Sequence, residues 1–467
     1  MRPAFRAFVS LLLAVTLVLQ AATPGYALLG IGDFTLKDEI ELGKKFNVLI
    51  KSRLPLVEDP EVKLYVRSIV ERLLAVAPPQ PYSFEANVLL HNSVNAFASP
   101  GGYIFVHTGL LLAMEHESEV AGVLAHEMAH VTQRHIASRM EKMQAVSVLS
   151  LAGVLAGALM GGGNSKGAAM VGSMAAGQSA MLNYSRIDEN EADQIGLQFL
   201  TAAGFRAEGM TGAFDKLRRK HWMSGTDLPA YLTTHPDIQE RISEVAARVS
   251  TLPAKQRNLP ENDATFNRVR TLVRARYADV AVAEQIFAKA PENDCLSQLG
   301  KAILLARQNR VAAAEAAFEK ALKCDPRDQL VWREAGRFHY TKGDRVRAAS
   351  MLQRAVTMNP RDYMALFYYA RLLADSGDRA RAFGYFEEVL RQLPEDAEVH
   401  QHYGRVLGED RKLFKAYLHL AYGALYGNEK ERVVSFRDQA RAQVRTAEEQ
   451  SELDRLEARY QERKAFW

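Results

Sequence analysis

The segment His126-Glu127-Met128-Ala129-His130 carries the most direct chemical signal in the sequence. In a helix, residues four apart share a face, so His126 and His130 can offer two imidazole nitrogens to one tetrahedral zinc, with Glu127 beside them as general base. A hydrolytic zinc keeps three protein ligands and leaves a fourth position for water, so a third ligand is required. The best source is Ser185 to Asp193, where Glu189 and Asp193 lie one helical turn apart on a shared face and Glu191 points away from both. Glu189 is the expected third ligand, and Asp193 is expected either to contact a ligand histidine or to donate a proton nearby. Taken alone, that acidic spacing more often marks a solvated helix face.

Positioning these side chains requires a helix under the histidine motif. Ser118 opens an apolar pattern, Val120, Val123 and Leu124, that runs into His126, and Thr108 is placed to cap a helix. Upstream, Phe84 to Val106 is rich in strand formers; Asn87 to Leu90 and Tyr103 to Val106 are expected to form a strand pair, with Pro100-Gly101-Gly102 as a turn. Asn95, Ala96, Phe97 and Ala98 are expected to form a strand edge beside the metal cleft, on which an extended substrate pairs; a plain structural hairpin is the alternative. His116, His135 and His221 have no evident partner and read as ordinary surface or helix residues. After Lys142, residues 143–182 are rich in glycine and alanine, and the charge-free run Met143 to Ser165 is long enough to insert in a membrane but too glycine-rich to span it well. A buried or lid-like helical hairpin is expected there, with peripheral membrane contact as the alternative.

At 467 residues the chain exceeds one ordinary core and implies two or three folded units. With 48% apolar and 24% charged residues it is globular, and a net charge of +4 without basic runs argues against nucleic acid as a partner. Arg2 and Arg6 precede an apolar run, Phe8 to Leu19, and Gly25-Tyr26-Ala27 ends in a small residue, so residues 1–27 have the layout of a cleavable export signal. The run is short of the roughly 20 residues that cross a bilayer, which makes a retained anchor the weaker reading. Export places the two cysteines in an oxidising compartment.

The second half repeats. Pro326, Pro360 and Pro394 stand 34 residues apart, and Ala314, Ala348, Ala382 and Ala416 keep that period. Thirty-four is the period of tetratricopeptide helical hairpins. Phe318, Leu352, Phe386 and Leu420 share a large apolar slot; Ala302, Gly336, Ala370 and Gly404 share a small one. The expected organisation is a signal at 1–27, a catalytic domain at 28–255, a repeat array at 262–430 with clear repeats from 295, and a capping helix at 431–467. Cys295 and Cys324 fall at the same end of one helical hairpin, which predicts a disulfide.

His126 to His130, Glu189 to Asp193, Asn95 to Gly102 and Thr234-His235-Pro236 together resemble metallopeptidase family forty-eight, the group of HtpX and the prenyl-protein endopeptidases. The resemblance implies a mainly α architecture: a zincin-type metallopeptidase domain with a small β-sheet, followed by an α-solenoid of tetratricopeptide repeats. It implies one zinc per chain held by His126, His130 and Glu189, with Glu127 taking a proton from the attacking water and Asp193 at the family's proton-donor position. His235 matches a histidine that in some members occupies the fourth zinc position, so the resting enzyme would be self-inhibited. Members with an export signal and repeats imply a periplasmic quality-control protease acting with the outer-membrane β-barrel assembly machinery on misassembled or stalled barrel proteins, including the lipopolysaccharide transport barrel. The rival reading is a repeat-based chaperone or adaptor with a latent protease; a third keeps the peptidase in the membrane.

Overall fold

The computed structural model describes residues 35–142, 184–223, 231, 234–464 and 466–467. The expected export signal, 1–27, and the segment 143–182 lie outside them. Among the described residues no helix is long and apolar enough to cross a membrane.

The first domain opens with α1, Leu36–Arg53, started by a reciprocal cap in which Thr35 and Asp38 bond each other's side chains and backbone. Helix α2, Pro60–Leu74, is capped by Asp59. Three strands follow, β1 (Glu85–Leu89), β2 (Ala96–Ser99) and β3 (Tyr103–His107), with β3 in the centre, parallel to β1 and antiparallel to β2. The expected strand pair is therefore a three-stranded sheet. Side chains alternate across it: Leu89, Phe97 and Phe105 meet Phe46 of α1, while Val88, Ala96, Ala98, Ile104 and Val106 join the main core. Thr108 caps nothing; it is the first residue of α3 (Thr108–Ala113), and its hydroxyl is committed to the backbone of His91.

Helix α4, Glu117–Thr132, is the centre of the domain, buried continuously from Glu117 to Val131. It is followed by α5 (His135–Lys142), α6 (Arg186–Ala202), α7 (Glu208–Met223), α8 (Ile238–Thr251) and the short α9 (Ala254–Arg257).

The rest of the described chain is helical hairpins. Helices α10 (Ala264–Tyr277) and α11 (Val280–Lys289) precede four pairs: α12 (Cys295–Arg307) with α13 (Val311–Cys324), α14 (Gln329–Thr341) with α15 (Arg345–Met358), α16 (Tyr363–Asp375) with α17 (Arg379–Gln392), and α18 (Ala397–Glu409) with α19 (Leu413–Tyr426). Asp294, Asp328, Asp362 and Asp396 accept from the first backbone N–H groups of each leading helix, so one capping residue recurs with the repeat. Ala314, Ala348, Ala382 and Ala416 are buried at the hairpin crossings. Gly336 and Gly404 allow equally close crossings, since a Cβ on either would stand 2.8 Å from Cγ of Leu352 or Leu420. Cys295 and Cys324 form a disulfide with Cα atoms 5.4 Å apart. The tail folds as two helices, α20 (Lys430–Arg441) and α21 (Ala447–Lys464), because Thr446 and Glu449 cap a second start.

The array docks on the first domain through buried charge. Arg333 of α14, 1% exposed, bonds Glu61 of α2 at 2.7 Å and Asp362 at 3.2 Å, and Arg268 of α10 bridges Glu61 and Asp328 at 2.7 and 2.6 Å. At the far end Lys51 of α1 pairs with Glu395 at 3.0 Å, and Asn428 donates to the Lys51 carbonyl at 3.1 Å. Buried ion pairs add little net stability but penalise every other register, so they fix the seating of one domain on the other.

Candidate active site

Helix α4 carries His126, Glu127 and His130, at most 1% exposed. Helix α6 supplies Glu189 and Asp193, and Gly196 continues their face at the next turn. That glycine sets the approach of the two helices: a Cβ on it would lie 3.0 Å from the His126 nitrogen and 3.1 Å from the Ala125 carbonyl. The fourth member, His235, lies just ahead of α8 and is 1% exposed.

The donor atoms converge. His126 Nε2 lies 3.0 Å from His130 Nε2, 3.3 Å from His235 Nδ1 and 3.6 Å from Glu189 Oε2; Glu189 Oε1 lies 3.4 Å from His130 Nε2 and 2.9 Å from His235 Nδ1. A tetrahedral zinc with bonds of about 2.0–2.1 Å needs ligand atoms about 3.4 Å apart, so these edges fit the ion. Glu127 Oε1 is buried without a hydrogen bond, a cost that a cation beside it would offset, whereas Glu189 Oε2 is paired with the Arg241 guanidinium. Among the described residues the arrangement thus brings His126, His130, Glu189 and His235 into one group able to hold a metal.

Electrostatics divide the carboxylates. Burial pushes the Glu127 carboxyl up from its usual range, which suits a proton acceptor. Burial also acts on Glu189 and Asp193, but His235 and Arg241 hold Glu189 well below the usual range, and Arg241 lowers Asp193. Arg241 of α8 donates to Asp193 twice, Nε to Oδ2 at 2.8 Å and Nη2 to Oδ1 at 2.7 Å. Asp193 Oδ1 lies 2.9 Å from His126 Nδ1. Both oxygens are thereby engaged with other groups.

Aromatic rings wall the group. Tyr184 stacks on His130 at 3.7 Å between centroids, and Tyr231 stacks on His235 at 4.3 Å. His235 turns Nδ1 toward His126 and Glu189, and its Nε2 stands 3.5 Å from Glu127 Oε1. The Ala98 N–H donates to Glu127 Oε2 at 3.2 Å, whereas the neighbouring Asn95 carbonyl bonds His107 of β3. By strand alternation the backbone groups of Ala96 and Ala98 face away from β3, toward the histidine helix. Asn95, Ala96, Phe97 and Ala98 are all buried.

Sequence reasoning missed Arg241, Tyr184 and Tyr231, which no local spacing marks. It also misread His135 and did not see the partner of the exposed His116. His135 is 5% exposed, with Nδ1 2.8 Å from His130 Nδ1, and His116 pairs with Asp263 at 2.7 Å. The side chain of His221 lies outside the described residues. His135 had a signal, its position five residues after His130 on the same side of a short turn.

Comparison with known proteins places these residues. Residues 60–249 match the sequence model of Peptidase family M48, and residues 299–345 and 333–397 match that of the tetratricopeptide repeat. The chain is 33% identical over 259 residues to a putative beta-barrel assembly-enhancing protease of Vibrio cholerae, covering 55% of this chain and 53% of that one. It is 30% identical over 220 residues to the beta-barrel assembly-enhancing protease of Escherichia coli strain K12, covering 47% and 45%. Against the mitochondrial metalloendopeptidase OMA1 of Schizosaccharomyces pombe it is 31% identical over 190 residues, covering 39% and 51%. The chain spans about half the length of these relatives.

Proposed function

With residues 60–249 as a peptidase family M48 domain joined to tetratricopeptide repeats, we propose that this chain is a zinc endopeptidase of the periplasm that removes misassembled outer-membrane β-barrel proteins. The observation that carries the reading is the convergence of His126, His130, Glu189 and His235 beside Glu127 in a fully buried group. His126, His130 and Glu189 would hold one zinc, which supplies Lewis acidity to the scissile carbonyl and the attacking water. Glu127, raised by burial, takes the proton of that water and returns it to the leaving amine. Asp193 and Arg241 keep His126 oriented, and His235 holds the resting site closed.

An extended substrate would pair with the outer edge of β2 at Ala96 and Ala98, taking the Ala98 N–H from Glu127 Oε2, with Asn95 and Phe97 fixing the strand. Recognition of backbone selects unfolded strands over folded ones. The repeats would engage the barrel assembly machinery and its stalled clients, in keeping with the names of the relatives from Vibrio cholerae and Escherichia coli. The closed fourth corner also supports a second reading, an adaptor whose protease is latent until His235 is displaced.

One experiment separates these. Metal content and casein cleavage are measured for the wild type, Glu127→Gln and His235→Ala. The endopeptidase reading requires about one zinc in each, cleavage lost in Glu127→Gln by roughly 100-fold or more, and cleavage raised in His235→Ala. Retained hydrolysis in Glu127→Gln refutes the assignment of the base. Complementation of a deletion strain by Glu127→Gln would favour the adaptor.

A further inference from the structure

His130 and His135 are both buried, and their Nδ1 atoms lie 2.8 Å apart. Two ring nitrogens meet at that distance when one carries a proton and the other does not. The far side of His130 decides which. Its Nε2 faces His126 Nε2 at 3.0 Å and Glu189 Oε1 at 3.4 Å, the position from which it would hold a metal, and a liganding nitrogen carries no proton. His130 is then protonated at Nδ1 and donates to His135. His135 in turn keeps its proton on Nε2, which stands 3.3 Å from Glu191 Oε2.

We propose that His135 is a positioning residue of the metal centre, the acceptor that fixes the tautomer and ring plane of His130, with Glu191 fixing His135. The inference rests on the zinc reading above. The two ligand histidines are then oriented by unlike groups, His126 by the Asp193 carboxylate and His130 by a neutral imidazole. Helix α5, which begins at His135, is held against the site a second time: Arg139 bonds Asp188 of α6 at 2.7 Å and lies 4.5 Å over the ring of Tyr184, which itself stacks on His130. Glu191, facing away from Glu189 and Asp193 along α6, thereby gains a part that its half-exposed position conceals.

Zinc affinity, measured on the full chain by competition with a chromophoric chelator, tests the assignment, with the melting of metal-free protein as a fold control. His135→Leu removes the acceptor and is expected to bind zinc about 10- to 100-fold more weakly. His135→Asn sets an amide oxygen near the place of Nδ1 and is expected to restore affinity to within about threefold of wild type. Glu191→Gln keeps an acceptor and is expected to stay in the same range. Folded His135→Leu with wild-type affinity, or His135→Asn as weak as His135→Leu, overturns the proposal; should the leucine variant misfold, His135→Met is read in its place. Wild-type protein that binds no zinc overturns the metal reading itself, a separate result.

Discussion

The Nδ1 of His126 lies 2.9 Å from Oδ1 of Asp193, and the Arg241 guanidinium holds both oxygens of that carboxylate. Asp193→Ala is therefore expected to weaken zinc binding about 10- to 100-fold and to destabilise the domain by about 1–3 kcal/mol, because Arg241 loses one of its two buried counter-charges and keeps Glu189. Chelator competition and urea unfolding check both. A variant that keeps its zinc and loses only turnover would return Asp193 to proton donation.

Gly196 sets how closely α6 approaches α4, and a side chain there meets backbone, which cannot swing aside. Gly196→Val is expected to cost about 1–3 kcal/mol of stability by overpacking and to lower zinc affinity as Glu189 is carried away from His126. An unchanged melting point and metal content would show that the helices part without consequence.

His107, 1% exposed at the end of β3, is pushed down to about 3 by burial, with His91 adding to the shift. The unfolded chain takes up that proton near pH 6.5 and the folded chain does not, so stability is full above about 6.5 and falls as pH drops toward 3. At pH 5 the loss from this group reaches about 2 kcal/mol. His107→Asn should flatten the change in urea midpoint between pH 7.5 and pH 5 relative to wild type. Equal slopes would remove His107 from the account.

The Cys295–Cys324 bond closes one hairpin. Cys295→Ser with Cys324→Ser is expected to destabilise the array by about 3–4 kcal/mol, with zinc content and casein cleavage at 25 °C unchanged. A fall in zinc content would show that the hairpin supports the distant metal group.

The sequence made legible whatever repeats or sits within one helical turn. The 34-residue period located eight helices because each hairpin solves the same packing problem, and His126 to His130 marked a buried helix because two ligands one turn apart need one. Strand β2 was expected as an edge beside the metal cleft, but Ala-Phe-Ala-Ser carries no β-branched residue and its own pattern left the antiparallel register on β3 unread. Arg241 and Tyr231 reach the metal group from segments whose own spacing is silent, since their partners lie on other helices. His135 was misjudged for a different reason: a histidine near a motif reads as surface until burial is known.

Helix α1 touches both halves of the molecule. Lys51 at one end is tied to Glu395 and Asn428 in the last repeats, while Phe46 packs on Phe97, whose strand reaches Glu127 through the Ala98 N–H. The helix thus joins the last repeats to the sheet. A change that parted the final hairpin from Lys51 would reach Phe46, and so the strand beside Glu127, across only about one and a half helical turns.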